Sequence, residues 1–357
     1  MKSNWSFLVI LLAVFSMSCV SRPAVSEKKT GEDALKIIKK NSPSVKKHFE
    51  PREVIVSGSG YRSVEDIVVK GELLVDGSEF AVSYNFAAAS AGDGNTFYIP
   101  FYAEDLKNGV SYNDTLSWNP SEEEAGLLLS FDDNYWNTWR QYFPLFDSYN
   151  AKVTFFVQGS LEPQDSADPD GVLSAGDDGL EDFCFEALSR GHSLGFHTIN
   201  HLDLTKVSPE TFYSETIEAA GAFFKKNIPL SAFAYPFGFS QPWMHEALAP
   251  VFSVTRGYGT NIRFCDTEIA SNGYIVSKAI DNIIYPDKDK FENDMRLILL
   301  AAKFTGHCVV PFTTHDISDE AQWGIEQNRL EFLLKTARDL KLKFYTYSAF
   351  REIFSVK

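Results

Sequence analysis

Eight short apolar runs recur along the last two thirds of this chain, and stretches with helical spacing lie between them. The runs are Leu127–Phe131, Val153–Val157, Leu194–Phe196, Ala232–Tyr235, Phe252–Val254, Tyr274–Val276, Val309–Phe312 and Leu342–Tyr345. Helical stretches include Thr138–Tyr149, Glu181–Arg190, Pro209–Lys226 and Gln322–Leu340. An apolar strand followed by a helix, repeated, requires a parallel sheet with right-handed crossovers, because only a helix returns the chain to start the next strand in the same direction. This many repeats predict an α/β fold, a closed or nearly closed (β/α) barrel of about seven strands. Functional side chains in such barrels gather at the C-terminal ends of the strands.

The first barrel run ends in two adjacent carboxylates, Asp132 and Asp133. Side chains alternate along a strand, so the two acids point in different directions from one place. One can hold a metal while the other stays free to take a proton from an attacking water; alternation permits either assignment. Taken alone, Asp-Asp after a strand is an ordinary turn or helix-start signal. The stretch His197-Thr198-Ile199-Asn200-His201 adds two imidazoles four residues apart, which share one face of a helix or tight helical turn. With Asp133 they form a carboxylate and two imidazoles, three protein ligands that leave a position open, as in a catalytic rather than a structural zinc site.

Taken together, the motifs resemble those of the polysaccharide deacetylases with the NodB homology domain (carbohydrate esterase family 4), over roughly Glu124 to Phe350. The family's Thr-Phe-Asp-Asp appears as Ser130-Phe131-Asp132-Asp133, its His-Ser/Thr-x-x-His as His197 to His201, and its Arg-x-Pro-Tyr/Phe-Gly as Ala234-Tyr235-Pro236-Phe237-Gly238. A late apolar strand leads to His315. The resemblance implies a divalent ion, Zn²⁺ first with Co²⁺ or Ni²⁺ as alternatives, held by Asp133, His197 and His201. It makes Asp132 the base, His315 the acid that protonates the leaving amine, and the Phe237 amide a donor to the oxyanion. Tyr235, Pro236, Phe237 and Gly238 are then substrate-binding. The implied activity is removal of N-acetyl groups from an amino-sugar polysaccharide, with an O-acetyl esterase or an inactive glycan-binding envelope protein as the alternatives. Many members carry arginine where this chain has Ala234; Arg256 and Asp281 are candidates to replace the arginine–aspartate pair.

The remaining sequence sets the context. Met1-Lys2, the apolar run Phe7 to Phe15 and Ser16-Met17-Ser18-Cys19 read as a signal peptide over 1–19 with a lipidated Cys19, which predicts an exported protein, either an envelope lipoprotein or a secreted one. Residues 20–50 read as a flexible tether with a short helix near Asp33–Ile38, and 51–120 as a small antiparallel β domain, from the alternation at Phe80, Val82, Tyr84 and Phe86 and a hairpin signal at Asp76-Gly77. The barrel takes 121–357. The aromatics of the β domain could bind sugar, but core packing is the expected role. A formal charge of −15 over 357 residues repels nucleic acid and anionic membrane surfaces and suits a neutral or cationic glycan, leaving a lipid anchor as the one route to a membrane. Cys184, Cys265 and Cys308 make no thiolate metal cluster. His192, His245 and His307 read as non-ligands, Ser208-Pro209 as a helix cap, and Asp165 to Gly171 as a surface insertion without calcium-loop spacing.

Overall fold

The structure is a computed structural model that describes residues 49–57, 66–75, 78–86, 88–91, 96–109, 111–118, 125–161, 179–258, 262–263, 273–305 and 309–349. The leader with Cys19, the tether as far as residue 48, the 165–171 insertion, Cys265, His307 and Cys308 lie outside the described residues.

An antiparallel sheet comes first, from β1 (Phe49–Ser57), β2 (Asp66–Val75), β3 (Ser78–Asn85), β4 (Ser90–Ala91), β5 (Phe97–Asp105) and β6 (Ser111–Trp118). Val75 pairs with Ser78, and the Asp76-Gly77 signal between them lies outside the described residues. The sheet is not closed within this segment: β1 also pairs with β12 (Ile262–Arg263), two residues contributed from far along the chain. Phe80, Val82, Tyr84 and Phe86 all face inward, with Ile99, Phe101 and Ala103 from β5. They pack on α7 (Lys288–Thr305), where the Phe304 ring lies 4.7 Å from that of Tyr84 and 5.2 Å from that of Phe86. These inward aromatics are core, and one buried apolar cluster runs from the sheet into the layer around the barrel.

The barrel is a ring of seven parallel strands: β7 (Gly126–Asp133), β8 (Thr154–Val157), β9 (Ser193–Phe196), β10 (Ala232–Ala234), β11 (Val254–Tyr258), β13 (Tyr274–Ala279) and β14 (Val309–Thr314), closed by pairing of β14 with β7. The eighth apolar run, β17 (Lys343–Tyr345), is not a member of the ring. It pairs with Gly126–Leu128 at the start of β7, below Ser130, where β8 joins. Beyond β14, the two short strands β15 (Asp316–Ile317) and β16 (Gly324–Ile325) pair with each other.

Around the ring lie α1 (Trp136–Gln141), α2 (Phe143–Ser148), α3 (Leu180–Ser189), α4 (Pro209–Tyr213), α5 (Ala219–Lys225), α6 (Pro242–Leu248), α7 and α8 (Gln327–Asp339). The stretch expected as one helix over Thr138–Tyr149 breaks at Tyr142, just ahead of Pro144, whose ring cannot sit inside a continuous helix. Ser208 does cap α4, its side chain accepting from the Thr211 amide. A π turn, Ser214–Glu218, joins α4 to α5. The helix expected from Gln322 begins only at Gln327, because the preceding residues form the β15–β16 loop.

Two apolar layers follow from strand alternation. Leu127, Leu129 and Phe131 pack outward beneath the helices, while Leu128 packs inward with Phe156, Ala232, Ala234, Val254, Ile275, Val309, Tyr345 and Tyr347. Parallel strands buried on both faces read as continuous apolar runs, which is how these were recognised.

Candidate active site

The parity of β7 separates the two acids. Leu128 points into the barrel, Ser130 bonds across to the Phe312 carbonyl, and Asp132 continues that face, fully buried. It meets the guanidinium of Arg256 from β11, which is also fully buried. Arg256 donates to Ser277 Oγ at 3.2 Å and lies over the Phe156 ring at 5.1 Å. That ring occupies space left by Gly195, where an added Cβ would come within 2.3 Å of it. Asp133 ends the strand with φ 78° and turns toward the histidine loop instead.

In that loop Asp133 Oδ1 lies 3.4 Å from His197 Nε2 and 3.5 Å from His201 Nε2. The histidines are not on a helical face, one of the two geometries their spacing allows; they converge through a turn in which Thr198 (φ 69°) and His201 (φ 52°) adopt left-handed backbone. The turn is tied internally and from outside. The His201 amide donates to Thr198 Oγ1 at 3.0 Å, and Asn200 donates to the buried Glu215 carboxylate through its amide at 2.9 Å and its side chain at 2.6 Å. Glu215 sits in the π turn between α4 and α5. Among the described residues, seven non-glycine residues have positive φ, and four of them, Asp133, Thr198, His201 and Phe237, surround this one point. Such backbone is costly for a β-branched residue like Thr198, and its concentration here marks a functional site.

The cluster fits a divalent cation. His197 Nδ1–H donates to the Ala234 carbonyl at 2.8 Å, which leaves the Nε2 lone pair facing Asp133. His197 Nε2 and Asp133 Oδ1 are buried without a hydrogen-bond partner, a costly arrangement unless a cation takes them. Asp133, His197 and His201 bring one ligand atom each within 4.8 Å of one another. Burial, with the neighbouring His197, pulls His201 down to about 4, so it is neutral near pH 7 as a ligand must be. Burial would raise the Asp133 carboxyl, but the neighbouring imidazoles of His197, His315 and His201 more than offset it, holding it well below the usual carboxylate range.

Asp132 is balanced the same way: burial raises it, and Arg256 with His197 and His315 brings it below its ordinary value, so it stays ionised and able to accept a proton. His315 follows β14, and its Nδ1 lies 2.9 Å from Asp281 Oδ1. The same oxygen takes the Thr314 hydroxyl at 2.8 Å and the His315 amide at 3.2 Å. Burial would lower His315, but the charge and hydrogen bond of Asp281, with Asp133 and Asp132, raise it to about 10. The two candidates for the missing pair therefore serve different partners, Arg256 the buried acid and Asp281 the histidine.

The stretch Tyr235–Gly238 divides. Tyr235 and Pro236 are buried, and the Tyr235 hydroxyl is used inside, 3.0 Å from His245 Nδ1. Phe237 is half exposed with its ring 4.6 Å from that of His201, and Gly238 (φ 72°) closes the turn by donating to the Tyr235 carbonyl at 2.9 Å. His192 is packed among Phe143, Phe146 and Phe155, and Cys184 is buried as a free thiol. Glu215 was not legible in the sequence, because nothing in a solvent-patterned helix distinguishes the one acid that turns inward.

A parallel barrel carrying an Asp–His–His cluster at its strand ends, flanked by a buried carboxylate and a protonated histidine, defines a metal-binding site of hydrolytic type. Residues 120–249 match the family model described as polysaccharide deacetylase, a span that holds Asp132, Asp133, His197, His201 and Tyr235 to Gly238. The match spans 130 of the 357 residues, and that segment is similar to the polysaccharide deacetylases. Among solved structures, similar ones include the Xyl-CE4 domain of a multidomain xylanase from the hindgut metagenome of Trinervitermes trinervoides, with 17% identity over 66% of this chain and 93% of that one (TM-score 0.44). Others are the peptidoglycan deacetylase PdaC from Bacillus subtilis, with 15% identity over 64% and 91% (0.40), and the chitin deacetylase from Colletotrichum lindemuthianum, with 15% over 67% and 92% (0.43). No curated protein sequence matches the chain.

Proposed function

We propose that this protein is a metal-dependent deacetylase that hydrolyses N-acetyl groups on an amino-sugar polysaccharide of the cell envelope or extracellular space. The observation that carries the reading is the placement of two differently poised groups around one ligand cluster: Asp132, kept ionised by Arg256, and His315, kept protonated by Asp281. A divalent cation held by Asp133, His197 and His201, Zn²⁺ first, supplies Lewis acidity toward the acetyl carbonyl and makes a nearby water easier to deprotonate. Asp132 takes that water's proton as the water oxygen adds to the acetyl carbonyl carbon. The Phe237 backbone N–H is the proposed donor to the oxygen on which charge develops, a role carried by the motif resemblance. His315 delivers a proton to the amine nitrogen as the C–N bond breaks, and a histidine held protonated to about 10 can do so across the neutral range. Products are acetate and a free amino sugar. The same groups would serve an O-acetyl ester, which is the second reading.

Acetate release from a panel of N- and O-acetylated glycans, with metal-stripped and Zn²⁺-restored protein, tests this. Release from N-acetyl substrates that disappears on stripping and returns with zinc is expected. Undiminished release by stripped protein, or release from O-acetyl substrates alone, overturns it.

We further propose that the protein is exported and held at a membrane by lipid on Cys19, from the leader pattern at residues 1–19. Among the described residues no helix is long and apolar enough to cross a membrane. Cys19→Ala is expected to move the protein from the membrane pellet to the soluble fraction, and identical partitioning of the two forms would refute the anchor.

A further inference from the structure

A large aromatic side chain beside the proposed acid is left in solvent by a loop that is otherwise fully tied down. Trp323 is 50% exposed, and its ring meets that of His315 edge-on at 5.5 Å. The loop that carries it, between β15 and β16, is held by Asn282, the neighbour of Asp281. Asn282 Nδ2 donates to the Ser318 carbonyl at 3.1 Å and to the Ala321 carbonyl at 2.9 Å, and its amide donates to the Gly324 carbonyl at 2.7 Å. The Ile283 amide donates to the Gln322 carbonyl at 3.0 Å, and the Glu326 amide donates to Asn282 Oδ1 at 3.2 Å. Gly324 is required at the start of β16, opposite Asp316, since an added Cβ would lie 2.8 Å from the Asp316 carbonyl oxygen. A loop anchored at this many points presents the indole in a fixed position. Exposing a tryptophan is unfavourable by itself, and fixing it there removes the entropy that a flexible side chain would lose on binding. Another half-exposed ring at the site, Phe237, leans on His201, so Trp323 and Phe237 sit against different histidines.

We propose that Trp323 is a saccharide-stacking residue: its indole takes the apolar C–H face of a pyranose ring of the glycan, beside His315. It sets affinity and specificity for sugar and takes no part in bond breaking. The exposed carboxylates of Asp319 and Glu320 in the same loop disfavour an anionic polymer and leave a neutral or amino-bearing one. The proposal rests on the hydrolytic reading for the position of the substrate, but sugar binding can be measured without turnover.

The probes are a β-1,4-linked tetramer of N-acetylglucosamine and an acetylated xylotetraose. Binding to metal-stripped full-length protein is followed by calorimetry, and kcat and KM are measured with the zinc-restored protein. Trp323→Ala is expected to weaken binding of at least one tetramer and raise its KM by about 3- to 10-fold, the usual worth of an aromatic contact. It should change kcat by less than about 3-fold and leave the pH profile in place, and Trp323→Tyr should restore most of the affinity. Unchanged affinity and KM in Trp323→Ala overturn the proposal, as does a fall in kcat with a displaced pH profile, which would make the ring a support for His315. Failure of both tetramers to bind the wild type, or a response only to a protein partner, also overturns it. Trp323-dependent binding without acetate release from the wild type would uphold the platform and refute the hydrolytic reading.

Discussion

Asp132 is buried against Arg256, while Asp133 reaches the two histidines, so substitutions of these neighbours should fail differently. Asp133→Ala should lose bound metal and activity together. Asp132→Asn should keep the metal and still bind glycan, with turnover lowered by about 10²- to 10⁴-fold, the contribution of a positioned base. Metal analysis of both purified variants decides the assignment, and a metal-free Asp132 variant would reverse it. A second residue-scale prediction concerns Asp281. Its charge and hydrogen bond raise His315 to about 10, above the ordinary histidine value near 6.5, so the proton is present at neutral pH and lost only as pH rises through the raised value. Asp281→Asn removes the charge, so the alkaline limb of kcat/KM should move down toward about 6.5. An alkaline limb that stays in place would show that another group holds the proton.

At the scale of elements, the histidine loop depends on a helix that it does not belong to. Glu215, in the π turn between α4 and α5, accepts both Asn200 donors and so holds a turn containing two left-handed residues. An extra residue in a helix re-aims one side chain, which is why π turns recur at functional sites. Glu215→Ala leaves two donors without their acceptor and should weaken Zn²⁺ binding by about 10- to 100-fold, as loss of groups that orient ligands does elsewhere. Glu215→Gln, which keeps one acceptor oxygen, should lose less. Competition with a chromogenic chelator measures both, and equal affinity in all three proteins would show that the clamp has no bearing on the metal site. The short strands make the same point: β10 has three residues, yet its last carbonyl, that of Ala234, sets the His197 tautomer.

At the scale of the whole molecule, the first sheet and the barrel layer pack against each other among the described residues. Phe304 near the end of α7 touches both Tyr84 and Phe86 of the first sheet, and β12 from beyond β11 extends that sheet. Phe304→Ala should therefore cost about 3–5 kcal/mol, as large-to-small changes at buried aromatic positions do, and sheet and barrel should unfold in one transition. Denaturant unfolding followed by near- and far-ultraviolet dichroism tests this. Two separated transitions, with the barrel unaffected, would show that the sheet is an independent unit.

How much of this was legible in the sequence follows from the range of each interaction. Strand and helix periodicity are local, so the βα repeat, the alternation in the first sheet and the paired acids and paired histidines could be read from residue spacing, while the choice of Asp133 over Asp132 as ligand came from the family resemblance. Two limits were also local in origin: three-residue strands and a proline-interrupted helix blur boundaries, and the eighth run looked like any other strand although it only wedges beside β7. Partner choice was not settled by the sequence, which offered Arg256 and Asp281 as candidates for a missing pair but not which group each would meet. Asp132 meets Arg256 from 124 positions away, His315 meets Asp281 from 34, and Asn200 meets Glu215 from 15. The sequence by itself determined which residues bear the chemistry and that they fall at strand ends. Which acid turns inward, which cation neutralises it and which aromatic is left in solvent were decided only by the tertiary structure. The physical reason is that closing a seven-stranded ring fixes the register of strands distant in sequence, and a buried charge takes the partner that the register places opposite it.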